Sequence, residues 1–152
     1  MVLRRSATGR AFDDTLEDLV SRMREFGLRV CDAKHIRFNT MVSQSFKASK
    51  LSLEQRRNLY LIFREVLNNA VKYAESTQID LTLNLKGRFL KMEIIDNGKG
   101  FDPDTVKRGN GLNNLEKRAK EINGQIEIKS VPGKGTCINL MVILKKSLLT
   151  EK

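Results

Sequence analysis

The chain has 152 residues, 40% of them hydrophobic and 30% charged, and its 28 basic against 18 acidic side chains leave a net charge of +10. That length suits one domain with a single core, and the composition excludes a fibrous or disordered chain. No apolar run approaches the ~20 residues that span a bilayer, and the basic start Met1-Val2-Leu3-Arg4-Arg5 lacks the apolar stretch of a signal peptide, so a soluble, cytoplasmic domain without membrane contact is expected. Cys31 and Cys137, the two cysteines, lack metal-ligand spacing and read as small apolar residues of a reducing compartment. The positive charge is scattered, there is no Trp, and aromatic residues do not alternate with basic ones as a stacking platform for bases requires. The charge therefore suits a polyphosphate or an acidic partner protein rather than nucleic acid.

Residues 1–12 carry no period and read as linker or leftover flanking sequence, residues 13–146 as the folded domain, and residues 147–152 as a tail. Leu16, Leu19, Val20, Met23 and Phe26 follow helical spacing, with Asp13 or Asp14 as the expected N-cap and Gly27 as the expected stop. Residues 29–40 read as one strand, or two short ones broken around Asp32, Ala33 and Lys34. Ser52-Leu53-Glu54-Gln55 is a capping-box signature, and Leu59, Ile62, Phe63, Val66, Leu67, Ala70, Val71 and Ala74 continue a second helix from it. Ile79, Leu81, Leu83 and Leu85, then Leu90, Met92 and Ile94 after a turn at Gly87, alternate with polar residues and predict a β-hairpin with one buried face. A third helix is predicted from Asn110, with Leu112, Leu115, Ala119 and Ile122 on one face and Asn123-Gly124 as its stop. Ile126 and Ile128, then Ile138, Leu140, Val142 and Leu144 beyond a turn at Pro132-Gly133, predict a second hairpin. Helices interleaved with hairpins imply an α/β sandwich (α+β), a mixed sheet with helices on one face.

Three clusters carry the chemistry. In Arg64-Glu65-Val66-Leu67-Asn68-Asn69-Ala70-Val71-Lys72-Tyr73, Glu65 and Asn69 stand four residues apart and share one helix face, with Asn68 and Lys72 as a neighbouring pair. The Asn69 oxygen suits a magnesium ion that takes its other ligands from phosphate and water. Glu65 is placed to orient or deprotonate whatever attacks a terminal phosphate, and Lys72 to offset phosphate charge. In Asp96-Asn97-Gly98-Lys99-Gly100-Phe101, Asp96 ends a buried strand where a lone carboxylate needs a donor such as an exocyclic amine. Gly98 and Gly100 leave bare backbone for a flat ligand to approach. In Gly109-Asn110-Gly111-Leu112, two glycines precede or open a helix whose free N–H groups suit phosphate, with Lys107 and Arg108 just before. Taken singly, the first cluster also reads as the solvated flank of an amphipathic helix, the second as a tight turn and the third as a flexible hinge.

In this order the clusters resemble the boxes of the ATP-binding catalytic domain of sensor histidine kinases, in the superfamily that includes gyrase B, the heat-shock chaperone ATPase and mismatch-repair ATPases. The resemblance covers residues 53–144 and implies the Bergerat ATP-binding fold, ATP and Mg2+ as cofactors, and transfer of the γ-phosphoryl group to a histidine. It implies Glu65 as the catalytic residue and Asn69 on magnesium, followed by Lys72 and Tyr73. Asp96, with Gly98 and Gly100, is implied at adenine, and Gly109, Gly111 and Leu112 at the phosphates. Gly133-Lys134-Gly135-Thr136 matches a further box whose Thr joins the adenine network. The short spacer of residues 102–108 is similar to the lids of a short-lid subgroup, as is Asn113-Asn114-Leu115-Glu116-Lys117-Arg118-Ala119.

The single histidine, His35, lies in Asp32-Ala33-Lys34-His35-Ile36-Arg37, outside any phosphoacceptor motif, and reads as a surface or strand histidine. The resemblance therefore implies partners: a histidine-bearing dimerisation hairpin on a separate segment and, through it, a response regulator, with the full-length protein open to inner-membrane anchoring. No autophosphorylation is expected of this chain alone. Two other readings stand beside this one: an anti-sigma-type protein serine kinase, which shares the fold, and a non-catalytic module that holds nucleotide or a partner.

Overall fold

A computed structural model describes residues 15–43, 50–104 and 110–144. The expectations for residues 1–12 and 147–152, Asp13, Asp14, Lys107, Arg108 and Gly109 lie outside these described residues.

Helix α1 spans Leu16–Asp32, and its buried stripe is Leu16, Leu19, Val20, Met23, Phe26, Gly27 and Cys31. Its N-cap is Thr15 rather than either aspartate, because the Thr15 hydroxyl accepts the Asp18 N–H at 3.1 Å and satisfies one of the helix's orphan donors. Gly27 does not stop the helix. A Cβ there would lie 2.5 Å from the Phe38 ring, so the glycine admits an aromatic side chain to the helix surface, and Leu28, Arg29 and Val30 carry the helix on. The strand expected from residue 29 is accordingly shorter: β1 spans Arg37–Val42. Between the two elements, His35 is exposed and adopts φ 59°, so it is a surface turn residue and not a strand one.

Helix α2 spans Leu53–Lys72 behind the predicted capping box, with the Gln55 N–H on the Ser52 side chain and the Gln55 side chain returned to the Ser52 N–H. Leu59, Ile62, Phe63 and Leu67 on its inner face are fully buried. Strands β2 (Gln78–Lys86) and β3 (Phe89–Asp96) form the first hairpin, turning at Gly87 with φ 59°, where glycine carries no steric penalty. Helix α3 spans Asn110–Glu121 and ends as its sequence indicates, with Asn123 at φ 55° and the Gly124 N–H returned to the Ala119 carbonyl. Strands β4 (Gln125–Ser130) and β5 (Thr136–Ile143) form the second hairpin.

The five strands make one mixed sheet in the order β1-β2-β3-β5-β4, with β1 parallel to β2 and every other pair antiparallel. Period-2 alternation sends Phe38, Ile79, Leu81, Leu83, Leu85, Leu90, Met92, Ile94, Ile138, Leu140 and Val142 into one core with the helices. Arg37, Asp80, Lys91, Glu93, Lys129 and the exposed Met41, Phe89, Ile95 and Ile143 fall on the opposite face. Helices on one face and a bare second face make the α+β sandwich that the sequence predicts. Burial pushes the Cys31 thiol up to about 11, consistent with an apolar role, whereas Cys137 is only half-buried. Among the described residues no helix is long and apolar enough to cross a membrane.

Candidate nucleotide site

At one end of the sheet, where β3 runs out and β5 begins, a cavity of 520 Å³ opens between α2, α3 and the strand ends. Its walls are drawn from all the sequence clusters: Glu65, Asn69 and Tyr73 from α2, Asp96 and Gly100 from the strand end and loop, Gly111 and Leu112 from α3, and Thr136 from β5. Glu65, Asn69 and Tyr73 fall in line because successive i, i+4 positions stand above one another on a helix. Asp96 and Thr136 are register partners across β3 and β5, which sets both side chains on the same face at the sheet's end.

Two of the residues singled out in the sequence, Lys72 and Gly98, are not among the lining residues. Lys72 is exposed. Gly98 packs against protein: a Cβ there would be driven into the Ala74 carbonyl oxygen. Gly100 does line the cavity, but its need for glycine also comes from protein, since it sits at φ 64° with the Val131 and Gly135 carbonyls against it. At both positions a side chain would meet neighbouring backbone.

Those loops form a frame that the sequence did not announce. The Lys99 N–H donates to the Ala74 carbonyl at 2.7 Å and the Gly133 N–H to the Lys99 carbonyl at 2.6 Å. The Asn97 side chain accepts the Thr77 and Gln78 N–H groups, each at 2.9 Å, and donates to the Thr77 hydroxyl at 2.8 Å. The Ser130 hydroxyl accepts the Phe101 N–H at 2.8 Å and lies 2.8 Å from the Thr136 hydroxyl. In the sequence Asn97 is only part of a turn, and Ser130 carries no signal. Both bond to residues at a sequence distance no local pattern covers.

Asp96 is buried and accepts the Gly98 N–H at 2.8 Å. Burial raises its pKa, and the Gly98 N–H, the Ser76 hydroxyl and the Thr136 N–H oppose that rise. Ser76 Oγ is itself buried and makes no hydrogen bond of good geometry, so its effect on the carboxyl is that of a nearby dipole. Glu65 stands beside the first turn of α3: a Cβ on Gly111 would lie 2.8 Å from Glu65 Oε2 and 3.6 Å from Asn69 Nδ2. The missing side chain brings the N-terminal dipole of α3 against the Glu65–Asn69 pair, a ready setting for anions. Among the described residues no group of three or more His, Cys, Asp or Glu side chains could hold a metal. A pair of oxygen-bearing side chains fits magnesium, which keeps most of its ligands as water and phosphate.

The mixed sheet faced by helices thus carries at its end a cavity lined by Glu65 and Asn69 from one helix and by Gly100 and Gly111. Residues 54–146 match the family model of histidine kinase-, DNA gyrase B-, and HSP90-like ATPases, and the chain belongs to that family. It is 41% identical over 86 residues to the sensor histidine kinase LiaS of Bacillus subtilis (strain 168), a match that covers 56% of this chain and 24% of that protein. Its fold matches the catalytic domain of the histidine kinase ThkA in a nucleotide-free form, with a TM-score of 0.69, 14% identity, and coverage of 88% of this chain and 96% of that one. It also matches the histidine kinase domain of the blue-light activated kinase of Erythrobacter litoralis EL346, at a TM-score of 0.68 and 17% identity, over 86% of this chain and 64% of that one. The domain is thus of the kind that forms the ATP-binding catalytic part of sensor histidine kinases.

Proposed function

We propose that the cavity binds Mg-ATP and that this domain donates the γ-phosphoryl group to a histidine on a dimerisation segment separate from residues 13–146. The observation that carries the reading is the convergence of Glu65, Asn69, Asp96, Gly100, Gly111, Leu112 and Thr136, drawn from four separate stretches of sequence, on one cavity. In this reading Asp96 accepts from the adenine amine, Thr136 adds a second contact, and Tyr73 flanks the base. Asn69 holds magnesium, which supplies charge stabilisation at the phosphates. The N-terminus of α3 at Gly111 and Leu112 receives the phosphate chain. Glu65 orients the incoming imidazole and takes its proton, because phosphoryl transfer rests mainly on positioning and charge stabilisation.

A kinase built on this domain also needs a histidine-bearing hairpin and a response regulator to receive the phosphoryl group, and any inner-membrane anchor belongs with those other segments. His35, exposed on a turn, has none of the helical setting of such an acceptor. No feature of the site or its relatives favours a serine kinase or a non-catalytic module.

The test is the thermal midpoint of the chain with and without Mg-ATP, beside Asp96→Asn. Ligand about a hundredfold above its dissociation constant adds ~2.7 kcal/mol, a rise on the order of 5 °C for a domain this size. That rise in the parent and its loss in the variant are expected. No rise with millimolar ATP or ADP would overturn the reading.

A further inference from the structure

Ser130 does not line the cavity, yet its buried hydroxyl touches three groups that frame it. It accepts the Phe101 N–H at 2.8 Å, donates to the Gly135 carbonyl at 3.1 Å, and lies 2.8 Å from Thr136 Oγ1, with either hydroxyl able to donate. A serine hydroxyl has one proton and two lone pairs. If that proton went to Thr136, the buried Gly135 carbonyl would lose this donor, and an unpaired buried acceptor is costly. If it goes to Gly135, the second lone pair of Ser130 takes the Thr136 proton, and all four groups are paired.

The second arrangement commits the Thr136 proton to Ser130, so that the hydroxyl of Thr136, a residue that lines the cavity, can only accept from a ligand there. Asp96, the register partner of Thr136 and also a lining residue, presents an acceptor too when ionised. Two acceptors side by side complement an exocyclic amine, which carries two N–H donors. They oppose a carbonyl oxygen.

We infer that Ser130 is a positioning residue that sets the hydrogen-bond polarity of Thr136 and thereby selects 6-aminopurine nucleotides over 6-oxopurine nucleotides. The inference rests on the cavity being the nucleotide site. With Ser130→Ala the Thr136 proton is released and can turn to donate to a 6-oxo group, so discrimination then rests on Asp96 alone.

The experiment is the affinity of this chain for ATP and for inosine triphosphate, measured for the parent, Ser130→Ala, Ser130→Thr and Thr136→Val. The expected result is a preference for ATP that narrows by roughly five- to tenfold in Ser130→Ala, the scale of one neutral hydrogen bond. Ser130→Thr keeps the hydroxyl and the ratio. Thr136→Val narrows the ratio as well, and adding Ser130→Ala to it changes nothing further, since the two residues act through one bond. Equal losses for both nucleotides in Ser130→Ala, or an unchanged ratio in Thr136→Val, would overturn the inference. Thr136→Val leaves the Phe101 and Gly135 bonds in place, so an unchanged ratio there overturns the inference even if Ser130→Ala fails to fold. Failure of the parent chain to bind either nucleotide would instead overturn the reading of the cavity, and this inference with it.

Discussion

The Lys99 amide donates to the Ala74 carbonyl at 2.7 Å, and this bond fastens the loop after Asp96 to the end of the helix that carries Glu65 and Asn69. Two halves of the site, more than twenty residues apart in sequence, are held in register by this backbone bond together with the Asn97 side chain's bonds to Thr77 and Gln78. Gly98 sits inside the joint, because a side chain there would meet the Ala74 carbonyl.

Gly98→Ala is therefore expected to open that joint. Backbone cannot yield as a flexible side chain can, so the cost should reach ~2 kcal/mol or more. Urea unfolding reads the loss of stability, and the nucleotide-dependent rise in thermal midpoint should shrink with it. An unchanged midpoint in both would show that the two loops are not coupled.

Asp96→Asn separates the fold from the ligand. The native carboxyl holds its proton more tightly than an unfolded aspartate, because burial outweighs the donors around it. The folded state then binds more protons between the ordinary aspartate value of ~3.9 and the raised native value, so stability falls as pH rises through that window and is regained on acidification. The asparagine variant should lack this pH term and be at least as stable as the parent at neutral pH. Its affinity for ATP should nevertheless fall. In the parent, ATP affinity should decline on the acid side from a pH above the ordinary aspartate range, as the acceptor becomes protonated. Thermal midpoints and binding titrations across the acid range check both halves.

Asn69→Ala should leave the fold intact, since the side chain lines the cavity rather than the core. The difference in ATP affinity with and without magnesium should drop by about tenfold or more, on the scale of a contact to a charged group. Isothermal titration with and without a chelator measures it. Full magnesium dependence in the variant would remove Asn69 from the metal.

Gly27→Ala sets two effects against each other. Alanine favours an interior helix position by ~1 kcal/mol over glycine, but the added methyl would lie 2.5 Å from the Phe38 ring, and overpacking typically costs ~1–3 kcal/mol. A net loss of stability is expected, relieved by Phe38→Leu. A more stable Gly27→Ala variant would mean that the ring gives way freely.

The same residue explains what the sequence could and could not convey. Helix α2 was legible because its capping box and apolar period are local, and the hairpins because alternation and turn residues are local too. The extent of α1 was not, since the reason for Gly27 is a ring on β1 that no helical pattern contains. At the site, Glu65, Asn69 and Asp96 were legible by type and spacing and Thr136 by the family resemblance, and the structure brings them to one cavity. Lys72 is exposed and is not among the lining residues. Asn97 and Ser130 stayed hidden because a polar residue in a turn or at a strand end has a local explanation, and their partners lie elsewhere in the chain.

The hairpin turn at Gly87 and Arg88 stands at the far end of the strand that finishes in Asp96. Eight residues of β3 at ~3.4 Å each put roughly 24 Å between the two ends. Arg88 is exposed, and a Cβ built on Gly87 meets nothing within 4 Å. A tether attached at Arg88 would thus anchor the molecule to a sensor chip with its nucleotide mouth pointing into solution.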